Sequence, residues 1–270
     1  MASYGKVLGD SLKFGFSPKR WLPFFVLDSV FLFSFLAIAL ANFGELMNLM
    51  MTLATSPMAG MSLAGYALLL LSGFIVWFLL RLWITGAVVH QAANPKEFGK
   101  SWTVSRHRFL SLLAVTIIVG VISAIVSMVP FIGWIFAIVV GLIFFLVVPS
   151  VVVKKMPFDR SMVDSYNIFR KRPLSVFLMW LAIAIVSLII MIVFFLPTLA
   201  AVWGYTAPFI GQVESSNIVA LALISMLTNI WVLVLCGIVV LLGMAVTTAF
   251  SLKAQTEFYL QMKAKKFGVF

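Results

Sequence analysis

Eight carboxylates, two histidines and one cysteine are a thin supply of groups for catalysis or metal binding in this chain of 270 residues. His90 and His107 have no metal-ligand spacing between them and are expected as solvated histidines at a membrane boundary. Glu45 and Glu214 could act as acid and base only if two separate loops met. There is no His-Glu-x-x-His, no Gly-x-Ser-x-Gly and no cysteine pair, and Gly99-Lys100-Ser101 has Asn94 where a phosphate-binding loop needs its earlier glycine. Met47, Met50, Met51, Met58 and Met61 offer thioethers suited to Cu(I), but no His or Cys accompanies them, and methionine is an adaptable apolar filler. The expectation is no enzyme, no cofactor and no metal.

Two charges invite a physical argument, Asp28 and Arg81, each inside a long apolar run. Either alone costs about 2.5–3.5 kcal/mol to place in hydrocarbon, so mutual pairing is the economical arrangement. Counting inward from Arg20 and from His90 at ~1.5 Å per residue puts both roughly 12–14 Å from one boundary. Such a pair could lock two spans together or face a polar cavity. Hydroxyls such as Thr85, Thr116, Ser127, Ser187 and Thr248 could line a path or bond within and between helices, as is normal for membrane packing.

The elements that must position these groups are membrane helices. With 63% hydrophobic residues, 10% charged residues and a mean hydropathy of +1.17, too few polar residues exist to cover a water-soluble surface. The apolar runs, near 20 residues each, match a hydrocarbon core about 30 Å thick, and none alternates like a barrel strand. Every Lys and Arg except Arg81 falls within residues 6–20, 96–108, 154–172 or 253–266, whereas the connections 43–63, 130–133 and 197–217 contain none. The positive-inside rule then gives six spans in a cell membrane, with both termini and both basic loops cytoplasmic. The spans are expected at 22–42, 64–89, 109–129, a fourth kinked by Pro149 and reaching 153, 173–196 ending before Pro197, and 230–251. No cleavage site follows the first apolar run, which is therefore expected to stay in place.

A short basic amphipathic segment carrying a serine precedes each pair of spans: Asp10-Ser11-Leu12-Lys13-Phe14, Lys100-Ser101-Trp102-Thr103-Val104 and Asp164-Ser165-Tyr166-Asn167-Ile168. The expected fold class is an all-α integral membrane protein. Six transmembrane helices form three hairpin modules (1–93, 94–156 and 157–252), each preceded by a cytoplasmic amphipathic interfacial helix, with a cytoplasmic helical tail at 253–270 of one domain 1–270. A shift of 64 residues lays Ser101 on Ser165, a sign of internal repetition. Ser17-Pro18 should end the first amphipathic helix, Asn94-Pro95-Lys96-Glu97 should open the second, and Asp159 should cap the third.

Lys13, Arg20, Arg106, Arg108, Lys154, Lys155, Arg170, Lys171 and Arg172 are expected to contact anionic lipid headgroups or a partner membrane protein. About 1 kcal/mol is available to each such charge at an anionic membrane surface, which favours lipid over nucleic acid. The alternative is a transporter or flippase of lipid or another amphipathic small molecule, for which the repeats, Pro149 and the Asp28/Arg81 pair speak.

The run Phe145-Leu146-Val147-Val148-Pro149-Ser150-Val151-Val152-Val153-Lys154, followed by Met162-Val163-Asp164-Ser165-Tyr166 and a basic entry to the fifth span, resembles the membrane domain attached to some glycerophosphodiester phosphodiesterases. It is similar also to that domain's stand-alone six-span prokaryotic relatives of uncharacterised function. In the fused proteins chemistry belongs to a separate soluble barrel, so the resemblance implies a membrane module without catalytic residues of its own.

Overall fold

A computed structural model describes residues 4–52, 57–207 and 229–264, and every regular element among them is helical. In chain order these are α1 (Tyr4–Gly15), α2 (Pro18–Ala41), α3 (Phe43–Thr52), α4 (Pro57–Ala93), α5 (Phe98–Ser127), α6 (Gly133–Ile143), α7 (Val147–Val153), α8 (Phe158–Lys171), α9 (Pro173–Thr206) and α10 (Ile230–Lys263). Six stretches are long and apolar enough to cross a membrane: Pro18–Ala41, Met61–Ala93, Phe98–Ser127, Gly133–Val153, Pro173–Tyr205 and Val234–Lys263. The chain is a multi-pass α-helical membrane protein. Most of the long outer connection, 208–228, and the last residues of the tail, 265–270, lie outside the described residues.

Local chemistry explains most boundaries. α1 stops at Gly15, and Ser17 is extended (φ −74°, ψ 120°), as the residue before a proline prefers to be. Pro18 and Pro173 open α2 and α9 from the first turn, where a missing N–H leaves nothing unpaired. Pro149 does more than kink the fourth span. α6 ends at Ile143 and α7 begins at Val147, because the proline ring crowds the preceding turn and supplies no N–H to the carbonyl four residues back. Ser165 of α8 fills the gap, its hydroxyl donating to the Ile143 carbonyl (2.7 Å) and accepting the Leu146 N–H (3.3 Å).

Four expectations need correction. Residues 94–97 form a turn, so Asn94 caps no helix. α5 runs unbroken from Phe98 to Ser127, making the second amphipathic segment the first turns of a span, since no proline interrupts it. Asp159 sits in the first turn of α8, with Pro157 at the cap position. Pro197 does not end α9, which continues to Thr206; a proline is tolerated inside a membrane helix when its surroundings satisfy the freed carbonyl. The first turns of the expected tail, through Tyr259, are packed inside the bundle. α10 meets neither proline nor glycine between Ser251 and Lys263, and Ala254, Thr256, Phe258 and Tyr259 of these turns are buried.

α10 is the central element, packed against α1, α2, α4, α7 and α9. One apolar core joins Phe250, Ala254, Phe258 and Tyr259 to Val7 of α1, Ile168 of α8 and Met179 of α9. A second joins Phe24 of α2, Val88 of α4, Leu112 of α5 and Val151 of α7. Two glycines set how closely these helices approach. A Cβ on Gly15 would stand 2.8 Å from the Phe250 Cβ, and one on Gly86 would stand 2.7 Å from the Leu112 Cδ1. Overpacking of this kind costs about 1–3 kcal/mol. Gly86→Val should therefore lower the thermal midpoint of the detergent-solubilised protein, whereas Gly9→Ala, whose Cβ would meet nothing within 4 Å, should not.

Candidate functional site

The expected intramembrane pair forms. Arg81 Nη1 donates to both carboxylate oxygens of Asp28, at 2.6 and 2.5 Å, and Trp77 Nε1 donates to Asp28 Oδ1 at 2.8 Å. The Arg81 guanidinium also lies 5.1 Å from the Trp77 ring and 5.8 Å from the Phe24 ring. Asp28 is only 5% exposed and the Arg81 side chain 23%; the carboxylate is met by Arg81 and the Trp77 N–H, and the guanidinium by Asp28 and aromatic faces. Trp77 was legible in principle: it precedes Arg81 by one helical turn and so shares its face. Several hydroxyls elsewhere are occupied, though those of Ser29 and Thr247 are buried without a partner among the described residues. Thr85, Thr116, Ser127 and Thr248 each donate to the carbonyl four residues earlier in their own helix, and Ser187 bonds Ser251 between α9 and α10.

All four basic clusters converge on one end of the bundle. Arg20, expected at lipid headgroups, instead turns inward: it donates to Gln91 Oε1 (2.6 Å) and to the Pro95 carbonyl (3.2 Å) and lies 5.0 Å from the Phe14 ring. Lys253 of α10, which is buried where Arg20 is half-buried, donates to the Ala92 carbonyl (2.8 Å) and pairs with Glu257 (2.7 Å). These cations sit where α4 ends, where unpaired carbonyls and the negative pole of the helix favour them. His90, expected to be solvated, is 6% exposed. The Ser101 hydroxyl donates to the Glu97 carbonyl (2.8 Å), which leaves its oxygen to accept from His90 Nδ1 (3.0 Å).

A second polar cluster holds α8 to the bundle. Asp164 Oδ2 accepts from Tyr259 (2.8 Å) and Ser150 (3.1 Å), and its Oδ1 accepts from Lys263. Burial works against ionisation of Asp164, but the hydrogen bonds from Lys263 and Tyr259, the Lys263 charge and the Ser150 hydroxyl outweigh it. They hold the carboxyl below its ordinary value. Ser11, Ser101 and Ser165, the serines common to the three amphipathic segments, are all buried against neighbouring helices.

Two adjoining clefts open beside α5. The first, of 400 Å³, is lined by His90, Glu97, Lys100, Thr103, Val104, His107, Arg108 and Lys155. The second, of 510 Å³, is lined by Trp83, Trp102, Thr103, Arg106 and His107. Its aromatic wall is the Trp83–Trp102 pair, with centroids 5.2 Å apart, and Trp83 Nε1 points to the Trp102 carbonyl at 3.4 Å. Of the basic residues singled out in the sequence, Arg108 and Lys155 share the first cleft and Arg106 lines the second. Lys13, Lys154, Arg170 and Lys171 are exposed elsewhere on this end, and Arg172 is half-buried where α9 begins. Lys100 and His107 join the first cleft without having been marked as contacts; their one-turn spacing from Val104 and Thr103 was the available signal. At the other end Glu45 accepts from Tyr66 (2.9 Å), while Glu214 lies outside the described residues.

Comparison of the chain with protein-family models, with curated proteins and with solved structures finds no match.

Two outcomes follow from these clusters. Asp28→Ala, which strands Arg81, should destabilise the solubilised protein by about 3–5 kcal/mol, and Asp28→Leu with Arg81→Met should recover much of that loss in the same thermal assay. For Asp164, a native value below the unfolded one means stability that is fully present above about pH 4 and lost as pH falls through the native value. Amide exchange of α8 should accelerate in that window relative to the spans, and Asp164→Asn should remove the pH dependence.

Proposed function

We propose that this chain is a non-enzymatic polytopic protein of the cell membrane whose basic end, with both termini, faces the cytoplasm and binds anionic lipid headgroups. The observation that carries the reading is the basic cleft. Lys100, Arg108 and Lys155 reach it from two separate segments, and Glu97, 3.8 Å from Lys100, is its one lining carboxylate. Among the described residues no carboxylate pairs with Arg108 or Lys155. Cations elsewhere at this end, Arg20, Lys253 and Lys263, are engaged by the protein itself, so the charges left over in the cleft are available to a ligand.

Two further features support it. α8 turns Ser161, Ser165 and Ile168 inward and leaves Phe158, Val163, Tyr166, Arg170 and Lys171 exposed, the division expected of an interfacial helix in a threefold plan of hairpin modules. The in-span hydroxyls that bond within their own helices support packing over a transport path. The likeness to phosphodiesterase-linked membrane domains fits the same reading, a module that offers a lipid-binding surface and leaves chemistry to a partner.

Lys155 has φ 55°, so Lys155→Gly removes its charge at no backbone cost. At about 1 kcal/mol per charge, Arg108→Gln with Lys155→Gly should weaken retention of anionic phospholipid by about 30-fold at low salt. Native mass spectrometry of protein purified in a neutral detergent reads this directly. Wild-type retention should fall as salt rises, and equal retention by the variant would sink the proposal.

A further inference from the structure

We infer that the two clefts beside α5 are one site for a single lipid with a phosphomonoester headgroup, of the phosphatidic acid class. The phosphate lies in the basic cleft and the glycerol and acyl chains lie against Trp83 and Trp102. This deepens the headgroup reading above and depends on it.

Charge sets the headgroup. Three cations, Lys100, Arg108 and Lys155, against the single carboxylate of Glu97 leave the basic cleft an excess of two positive charges, and Arg106 adds another cation in the adjoining cleft. A phosphomonoester carries about −1.5 to −2 at pH 7, where a phosphodiester carries one negative charge. The monoester's second charge meets more of this positive excess than a diester's single charge does. Arg108 offers a fork that can take two phosphate oxygens, and the lysines act as point charges on the others.

Backbone geometry agrees. Lys155 holds φ 55° in a region that residues other than glycine seldom occupy, and such conformations persist where the surrounding structure fixes them, often at ligand clamps. Here the conformation belongs to a residue that lines the basic cleft.

The aromatic cleft makes the ligand a lipid. Thr103 and His107 line both cavities, so the two adjoin without an intervening element. Trp83 lies seven residues before His90 on α4, about 10 Å further into the bundle. A ligand filling both clefts thus sets its anion against Arg108 and Lys155 and its apolar atoms against the Trp83 and Trp102 rings, two characters that a phospholipid combines. A soluble phosphate ester would have no use for the tryptophan wall.

The test offers the full-length protein, in neutral detergent with phosphatidylcholine, either phosphatidic acid or phosphatidylglycerol of identical acyl chains, and counts bound lipid by native mass spectrometry. The wild type should prefer phosphatidic acid about fivefold, the value of one further charge contact. Lys155→Gly should bring the two lipids level while leaving measurable binding of both. Trp83→Leu should weaken phosphatidic acid but leave competition by soluble glycerol 3-phosphate unchanged. Equal wild-type binding of the two lipids overturns the monoester assignment and leaves headgroup binding standing. Binding of neither overturns both, and displacement of the lipid by glycerol 3-phosphate at comparable affinity overturns the single-lipid site.

Discussion

The end of α4 is the point on which this bundle is built. A helix that stops at a membrane boundary leaves carbonyls that neither water nor hydrocarbon satisfies well. Here Lys253 takes the Ala92 carbonyl and Arg20 takes Gln91 and the Pro95 carbonyl. Those two side chains come from α10 and α2, so satisfying one helix end fixes the relative positions of three spans. The turn that follows then delivers α5 against α4, with Gly86 permitting the close approach and Ser105 donating to the Trp83 carbonyl at 2.5 Å. Both clefts are a by-product of that arrangement, since their walls are α4, α5 and the residues that follow α7.

Polar groups divide into two populations. Several within the spans are matched internally, Asp28 with Arg81 and Trp77, and Thr85 or Thr116 with their own helices, while the buried hydroxyls of Ser29 and Thr247 have no partner among the described residues. Those at the basic end divide again, between cations bound to the protein and cations lining the cleft. The distinction is physical. An ion buried without a partner is expensive, so the fold must pair Lys253, while Lys155 is exposed and Arg108 half-buried at an open cleft, where solvent can meet their charge.

Asp28 and Arg81 were legible as a pair because helix rise converts sequence position into depth, and two opposite charges at one depth in hydrocarbon have few other partners. The break near Pro149 and the junction at Ser17-Pro18 were legible because proline acts locally. Arg20, His90 and Lys253 were not. Each lies in a basic or boundary segment whose average character is solvated, and each owes its burial to a helix distant in sequence: Arg20 to α4, Lys253 to α4, His90 to Ser101 of α5. The turns of α10 beyond Ser251 misled for the same reason. Their lysines and glutamate read as a tail in water, while Phe258 and Tyr259 on the other face fill a core made by α1, α8 and α9.

By itself the sequence determined that the chain is a multi-pass helical membrane protein with six helices long and apolar enough to cross, because hydrophobic length and local backbone chemistry are properties of consecutive residues. Tertiary structure alone decided which cations are consumed as helix fasteners and which line the cleft without a protein carboxylate. That choice depends on distances between residues far apart in the chain, and a charge carries the same letter whether its partner is a carbonyl of the protein or a phosphate outside it.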